Sequence, residues 1–110
     1  MATQSEPTGI WPLYGVLARD LVPILGRDAV YDGPVPRPLW DREVLERLFL
    51  AWATPRTVTL LLLTQDGRSV AHLSSPSGAQ TVGRGPRAAD ALAVAWVALL
   101  HHPGFKEDGS

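Results

Sequence analysis

The sequence contains no cysteine, and this absence excludes disulfides, thiolate zinc sites, iron–sulfur clusters and cysteine nucleophiles together. It also lacks a long hydrophobic run, because the apolar stretch 91–100 is too short for the roughly 20 residues that cross a bilayer. There is no excess of one charge, since 10 basic and 11 acidic residues give a net charge of −1. We therefore expect no membrane partner, and nucleic acid is not a favoured partner either.

The chain has 110 residues, of which 45% are hydrophobic and 19% charged, and this composition is typical of one folded domain. The first residues have neither the basic region nor the apolar region of a signal peptide, so a cytoplasmic protein is expected. We predict a disordered tail over residues 1–9, a single domain over 10–102 and a flexible tail over 103–110.

Two helices are predicted in the first half of the chain. From Ile10 leucines recur at helical spacing, and Pro23 should kink this helix or end it at about Val22. Residues 27–39 contain several prolines and are expected to form an extended connector with one turn. A second helix over about 39–53 should end at the next proline.

A β-hairpin is the clearest pattern in the second half. Residues 57–64 predict a strand, Asp66 and Gly67 predict a two-residue turn, and residues 79–82 predict a short third strand. The turn sets four pairs of residues opposite each other: Leu63 and Val70, Leu62 and Ala71, Leu61 and His72, and Leu60 and Leu73.

Both faces of this hairpin carry large apolar side chains, so helices of this chain or a second subunit should cover each face. A last helix is predicted from Pro86 to about His101. The expected architecture is an α+β fold of order α-α-β-β-β-α, in which the N-terminal helices and the alanine-rich C-terminal helix pack on a three-stranded antiparallel sheet.

The last helix is apolar around its circumference, which predicts that it is buried or forms an interface. A small domain has difficulty covering this helix and both sheet faces, so we expect a homodimer or another protein partner. The alternative is a closed monomer. The predicted interaction surface combines small residues that allow close approach with bulky anchors: Ala91, Ala95, Trp96, Ala98 and Leu99.

A glycine motif precedes this helix, with Gly83, Gly85 and Ala88 at the spacing of a dinucleotide fingerprint. No parallel strand follows the helix, so a tight turn is the preferred interpretation and no cofactor is predicted. Arg84 and Arg87 in this turn are a possible anion contact.

Catalytic and metal sites are not predicted. His101 and His102 are adjacent on a helix and point about 100° apart, and His72 lies on a strand, so the three do not suggest a metal site. No G-x-S-x-G elbow is present. The chain is therefore expected not to be an enzyme, although a small enzyme of unknown class remains a second alternative.

Two resemblances bear on function. With WDREVLERL at 40–48 and ADALAVAWVALL at 89–100, residues 40–102 resemble the phage ABA sandwich domain, in which a helix, an antiparallel sheet and a final helix form three layers. That resemblance implies a small phage or prophage accessory protein that binds a host or partner protein, and it carries over no functional residues.

The stretch VGRGPRAADALAVAWVAL at 82–99 is similar to the last segment of the double-stranded RNA-binding domain. This resemblance implies RNA binding as the alternative function. That family has a lysine cluster at the start of this helix, whereas the matching positions here offer Arg87 alone and add Asp90, which removes most of the electrostatic affinity.

Overall fold

Residues 11–105 are described by the computed structural model, and they form an α+β fold with a three-stranded antiparallel sheet. The predicted tail over residues 1–9 lies outside the described part. The elements in chain order are α1 (Trp11–Leu25), α2 (Arg27–Val30), β1 (Tyr31–Asp32), β2 (Val35–Pro36), α3 (Arg42–Arg56), β3 (Thr59–Gln65), β4 (Arg68–Ser74), β5 (Gln80–Gly85) and α4 (Ala88–Leu100).

The main sheet has the strand order β3-β4-β5, with antiparallel pairing throughout. Asp66 and Gly67 join β3 to β4 with φ angles of 53° and 74°, which is the left-handed backbone of a primed two-residue turn. The register places Leu63 opposite Val70 and confirms all four pairs that the turn predicted.

Helix α4 lies between the sheet and the other long helices. One side of α4 packs on β4 and β5, and the other side contacts α1 and α3. The Trp96 ring meets the Phe49 ring edge-on at 5.2 Å between centroids and lies 5.4 Å from the Trp52 ring. The core is therefore centred on α4, and the described helices all pack on one side of the sheet.

Helix α1 continues through Pro23 to Leu25, so of the two alternatives predicted for Pro23 the end at about Val22 is wrong, and the kink stays a prediction. Pro23 lies in the last turn, where its missing N–H removes a single helical hydrogen bond. Leu17 and Leu21 are fully buried and hold the helix against the core.

The predicted connector over residues 27–39 contains regular structure of its own. Helix α2 is followed by the small hairpin of β1 and β2, whose turn includes Gly33 at a φ of 64°. The predicted turn is confirmed, and the expectation of a plain extended connector is wrong. Val30 is fully buried and anchors α2 to the core.

Helix α3 begins and ends later than predicted. The carboxylate of Asp41 caps it by accepting the backbone N–H groups of Glu43 at 2.9 Å and Val44 at 3.3 Å. Pro55 lies within the last turn and does not end the helix, which stops before Thr57 at a φ of 57°. The tertiary contacts of the helix thus outweigh one lost backbone hydrogen bond.

Three boundaries in the second half also differ from prediction. Strand β3 begins at Thr59, two positions later than expected, and β5 runs on to Gly85. Helix α4 begins after Pro86 and ends at Leu100. β3 begins where Thr59 pairs with Ser74 at the end of β4, and pairing with β4 keeps β5 extended as far as Gly85.

Residues 103–105 belong to the folded domain, so the prediction of a flexible tail is wrong for them. The Phe105 ring lies 5.7 Å from the Trp52 ring, and the Ser77 hydroxyl donates a 2.9 Å hydrogen bond to the carbonyl of Gly104. The rest of the predicted tail, residues 106–110, lies outside the described residues.

Candidate functional site: the outer face of the sheet

The predicted interaction surface on α4 lies mostly inside the folded chain. Ala91, Ala95, Trp96 and Leu99 are completely buried, and only Ala98 is exposed. The prediction that these side chains form a docking surface is wrong, because a partner cannot reach four of the five. The sheet covers these α4 side chains on one side, and helices α1 and α3 cover them on the other.

The glycines of β5 explain how α4 comes so close to the sheet. A Cβ atom on Gly83 would overlap the backbone oxygen of Ala91 and the backbone nitrogen of Ala95. A Cβ on Gly85 would lie 2.6 Å from the Cβ of Asp90. The small residues of α4 therefore pack against β5 of the same chain. Gly83 and Gly85 of the glycine motif allow this close packing because they have no side chains.

Arg87, one of the two predicted anion contacts, forms an internal ion pair with Asp90. Its Nε and Nη2 donate to the two carboxylate oxygens at 3.1 and 2.8 Å. The Tyr14 hydroxyl donates to the same carboxylate at 2.6 Å and so joins α1 to the start of α4. Asp90 is fully buried, and this cluster supplies the partners that a buried carboxylate needs.

The three groups of the cluster affect each other's ionisation. Burial opposes the charged form of Asp90, but the hydrogen bonds from Arg87 and Tyr14 outweigh it and hold the pKa of Asp90 below its ordinary value. Burial, and then the bond to Asp90, raises the pKa of Tyr14. The bond to Asp90 raises the pKa of Arg87. At neutral pH the cluster holds a neutral phenol between two opposite charges.

The outer face of the sheet, opposite α4, carries three of the six exposed large apolar side chains of the described residues. Leu61 is 56% exposed, Leu63 is 54% exposed and Val82 is 38% exposed. His72 is exposed between Leu61 and Val82, and Val70 is half-buried beside Leu63. These five residues are called the outer-face patch below. Among the described residues no helix of this chain covers this face, so of the two covers expected for it only a second subunit stays a prediction.

Two arginines lie in the part of the sheet nearer the β3–β4 turn. Arg68 and Arg84 line a groove of about 530 Å³ together with Val70 and Gly85. Neither arginine forms an ion pair with another described residue. The outer face thus combines an apolar centre with a positively charged end.

The remaining basic residue of interest lies at the other end of the sheet. Arg56 lies three residues before Thr59, which pairs with Ser74 at this end of the sheet. The Arg56 side chain donates a 2.8 Å hydrogen bond to the carbonyl of Trp52, and its guanidinium lies over the Trp52 ring at 5.4 Å. Arg84 lies two-thirds of the way along the sheet from that end. Arg56 therefore does not share one basic face with Arg68 and Arg84, as binding of duplex RNA by these three residues would require.

Within residues 11–105, no group of three histidine, aspartate or glutamate side chains is arranged to hold a metal ion. His101 is instead 2.7 Å from the carboxylate of Asp20, a contact that joins the end of α4 to α1. Of the helices in the same part of the chain, none has the length and apolar character needed to cross a membrane.

Comparison with known proteins found no matching family model, no matching curated protein and no matching solved structure. No relative therefore indicates a function for this chain.

The sequence also contained an indication of the outer-face patch, which the prediction of α4 as the interaction surface did not use. The run Leu60–Leu63 puts leucine on both faces of one strand, and only one face can be turned towards α4. The sequence does not show which face that is, since the choice depends on where α4 packs.

Proposed function

We propose that this chain is a non-catalytic protein-interaction module that binds a partner protein through the outer-face patch. The observation that carries this proposal is the exposure of Leu61, Leu63 and Val82 on one sheet face, with His72 between Leu61 and Val82. A group of exposed apolar side chains on one face marks interaction sites in soluble domains. The resemblance of residues 40–102 to phage ABA sandwich domains implies an accessory role of the same kind, but the described helices lie on one side of the sheet and not on both.

The chemistry of the surface indicates what kind of partner fits. The apolar centre favours a partner with leucine, valine or aromatic side chains, and Arg68 and Arg84 favour carboxylates along one border. A partner that satisfies both would bury the apolar patch and pair the arginines at its edge.

Two variants test the proposal. Val82→Glu places a charge in the outer-face patch, whereas Leu50→Glu places the same charge on α3, where Leu50 is 59% exposed. Immobilised wild-type chain is used to capture proteins from the source cell, and each captured protein is then purified and titrated against all three forms by calorimetry.

We expect Val82→Glu to weaken binding at least about tenfold, because it places a charged group in the apolar part of the interface, while Leu50→Glu changes the affinity less than about twofold. Circular dichroism confirms that both variants fold. Equal affinity of the two variants, or the absence of any captured protein, contradicts the proposal.

A further inference from the structure

Strand β3 is an open edge of the sheet that leaves leucine exposed on both of its faces. Among the described residues only β4 pairs with it. Leu61 and Leu63 are exposed on the outer face, and Leu60 and Leu62 are only half-buried on the inner face. Four consecutive leucines on an unpaired edge are an unusual exposure for a folded protein, since such edges are normally blunted by charge or covered.

The backbone of β3 also leaves hydrogen-bonding groups unpaired. Gln65 and Arg68 flank the two-residue turn and form a hydrogen-bonded pair, so pairing towards β4 alternates from that point. The N–H and C=O groups of Leu60, Leu62 and Thr64 consequently point to the open edge. An added strand would satisfy these groups and shield the leucines on both faces, whereas a helix on the outer face would shield only half of them.

We propose that the partner on this edge is a second copy of the chain, whose β3 pairs antiparallel with the first about a twofold axis through Leu62. This proposal rests on the proposed function, because it names the partner that takes the β3 side of the interaction surface. The two sheets would then join into one six-stranded sheet.

The sequence of β3 fits its own copy in this register. Directly opposed residues of an antiparallel pair point to the same face of the sheet. The twofold axis must therefore lie midway between the two copies of the same residue. With the axis at Leu62, Leu61 faces Leu63 of the second copy, and Thr59 faces Gln65. Leu62 then faces Leu62 of the second copy, and Leu60 faces Thr64. Strand β3 carries no charged side chain that would repel its copy.

The opposite edge of the sheet does not offer the same fit. Strand β5 carries Arg84 on its outer face and glycine at positions 83 and 85, where α4 lies against the strand. Charge and glycine both disfavour pairing with another strand. The open edge of β3 is therefore the site for the second copy.

The mass in solution tests the proposal with the full chain. At about 100 µM, where mass action favours association, we expect light scattering to give twice the mass of 11.9 kDa. The double variant Leu61→Lys/Leu63→Lys places like charges opposite each other across the axis and should raise the dimer dissociation constant at least about tenfold. Leu50→Lys is the matched control and should leave the dimer unchanged.

A charge reversal tests the register itself. In Leu61→Lys/Leu63→Glu each lysine faces a glutamate of the second copy, so this variant should dimerise more tightly than the variant with two lysines. Mixing the single variants Leu61→Lys and Leu63→Glu should likewise yield a mixed dimer. Circular dichroism and thermal unfolding of each variant separate loss of the dimer from loss of the fold.

The outcomes separate this proposal from the proposed function. A wild-type monomer at about 100 µM overturns the β3 dimer, and binding of another protein that depends on Val82 would still support the interaction module. A dimer that both lysines leave intact, or that the charge reversal does not restore, overturns the register. A monomer with no Val82-dependent binding overturns both proposals.

Discussion

At the scale of single residues, the most constrained group in the described chain is the carboxylate of Asp90. A fully buried carboxylate is tolerated only when it is paired and hydrogen-bonded, and here Arg87 and Tyr14 supply three bonds. The cluster joins α1 to the N-terminal end of α4. It therefore contributes to the docking of the first helix on the core.

Replacing this carboxylate should cost stability. We expect Asp90→Asn to lower the free energy of unfolding by about 2 kcal/mol, because Arg87 loses its ion pair while the fold keeps a polar group of the same size. Urea denaturation measures the change. Glu43→Gln, which removes an exposed 3.7 Å ion pair with Arg47, should change the free energy by less than about 0.5 kcal/mol.

The same variant should also change the response to acid. The pKa of Asp90 is lowered in the folded state, so its contribution is complete above the ordinary value of 3.8 and is lost as the pH falls through the folded pKa. Between neutral pH and the acid region the wild type should lose more stability than Asp90→Asn. Parallel pH profiles for the two proteins would contradict this assignment.

At the scale of elements, the contact between β5 and α4 decides how the core is assembled. Gly83 and Gly85 remove the side chains that would hold the helix away, and the alanines of α4 complete the close approach. The Thr81 hydroxyl adds a 2.8 Å hydrogen bond to the carbonyl of Ala95. Because the helix backbone faces these glycines, a larger residue there must displace the whole helix.

Two glycine-to-alanine variants make a matched test of this contact. Gly83→Ala should destabilise the protein by about 3 kcal/mol or more, since the new methyl group meets helix backbone. Gly15→Ala on α1 meets nothing within 4 Å and should stabilise by about 0.5–1 kcal/mol through helix propensity. Thermal unfolding monitored by circular dichroism compares them. A wild-type melting temperature for Gly83→Ala would show that β5 and α4 are further apart.

At the scale of the whole molecule, the charge balance argues against nucleic acid as the partner. The net charge is −1, Arg87 is paired with Asp90, and Arg56 lies at the other end of the sheet from Arg68. Affinity for duplex RNA grows with the number of phosphates that free cations neutralise. On the sheet, Arg68 and Arg84 form a local pair without an acidic partner among the described residues.

We therefore expect duplex RNA to bind no more tightly than about 10 µM in fluorescence anisotropy at about 150 mM salt. Arg68→Gln/Arg84→Gln should weaken whatever binding remains. Submicromolar binding that depends on these two arginines would favour the RNA-binding alternative over a protein-interaction module.

Local sequence rules determined much of the described fold. The Asp66-Gly67 turn specified the register of β3 and β4, because a two-residue turn leaves one pairing in which all four predicted contacts occur. In α3 the buried Leu45, Phe49 and Trp52 recur at helical spacing, so the sequence pattern agrees with the buried side of that helix. The element boundaries shifted at Pro23 and Pro55, where tertiary packing outweighed the loss of one hydrogen bond.

Only the tertiary structure decided which apolar surface stays open. The sequence showed more apolar faces than a small domain covers easily, and α4 rather than a face of the hairpin was predicted as the open surface. Gly83 lets α4 approach the inner face of β5, and that single placement buries Trp96 while leaving Leu61 and Leu63 exposed. The choice depends on contacts between residues distant along the chain, and periodicity reports only which residues share a face.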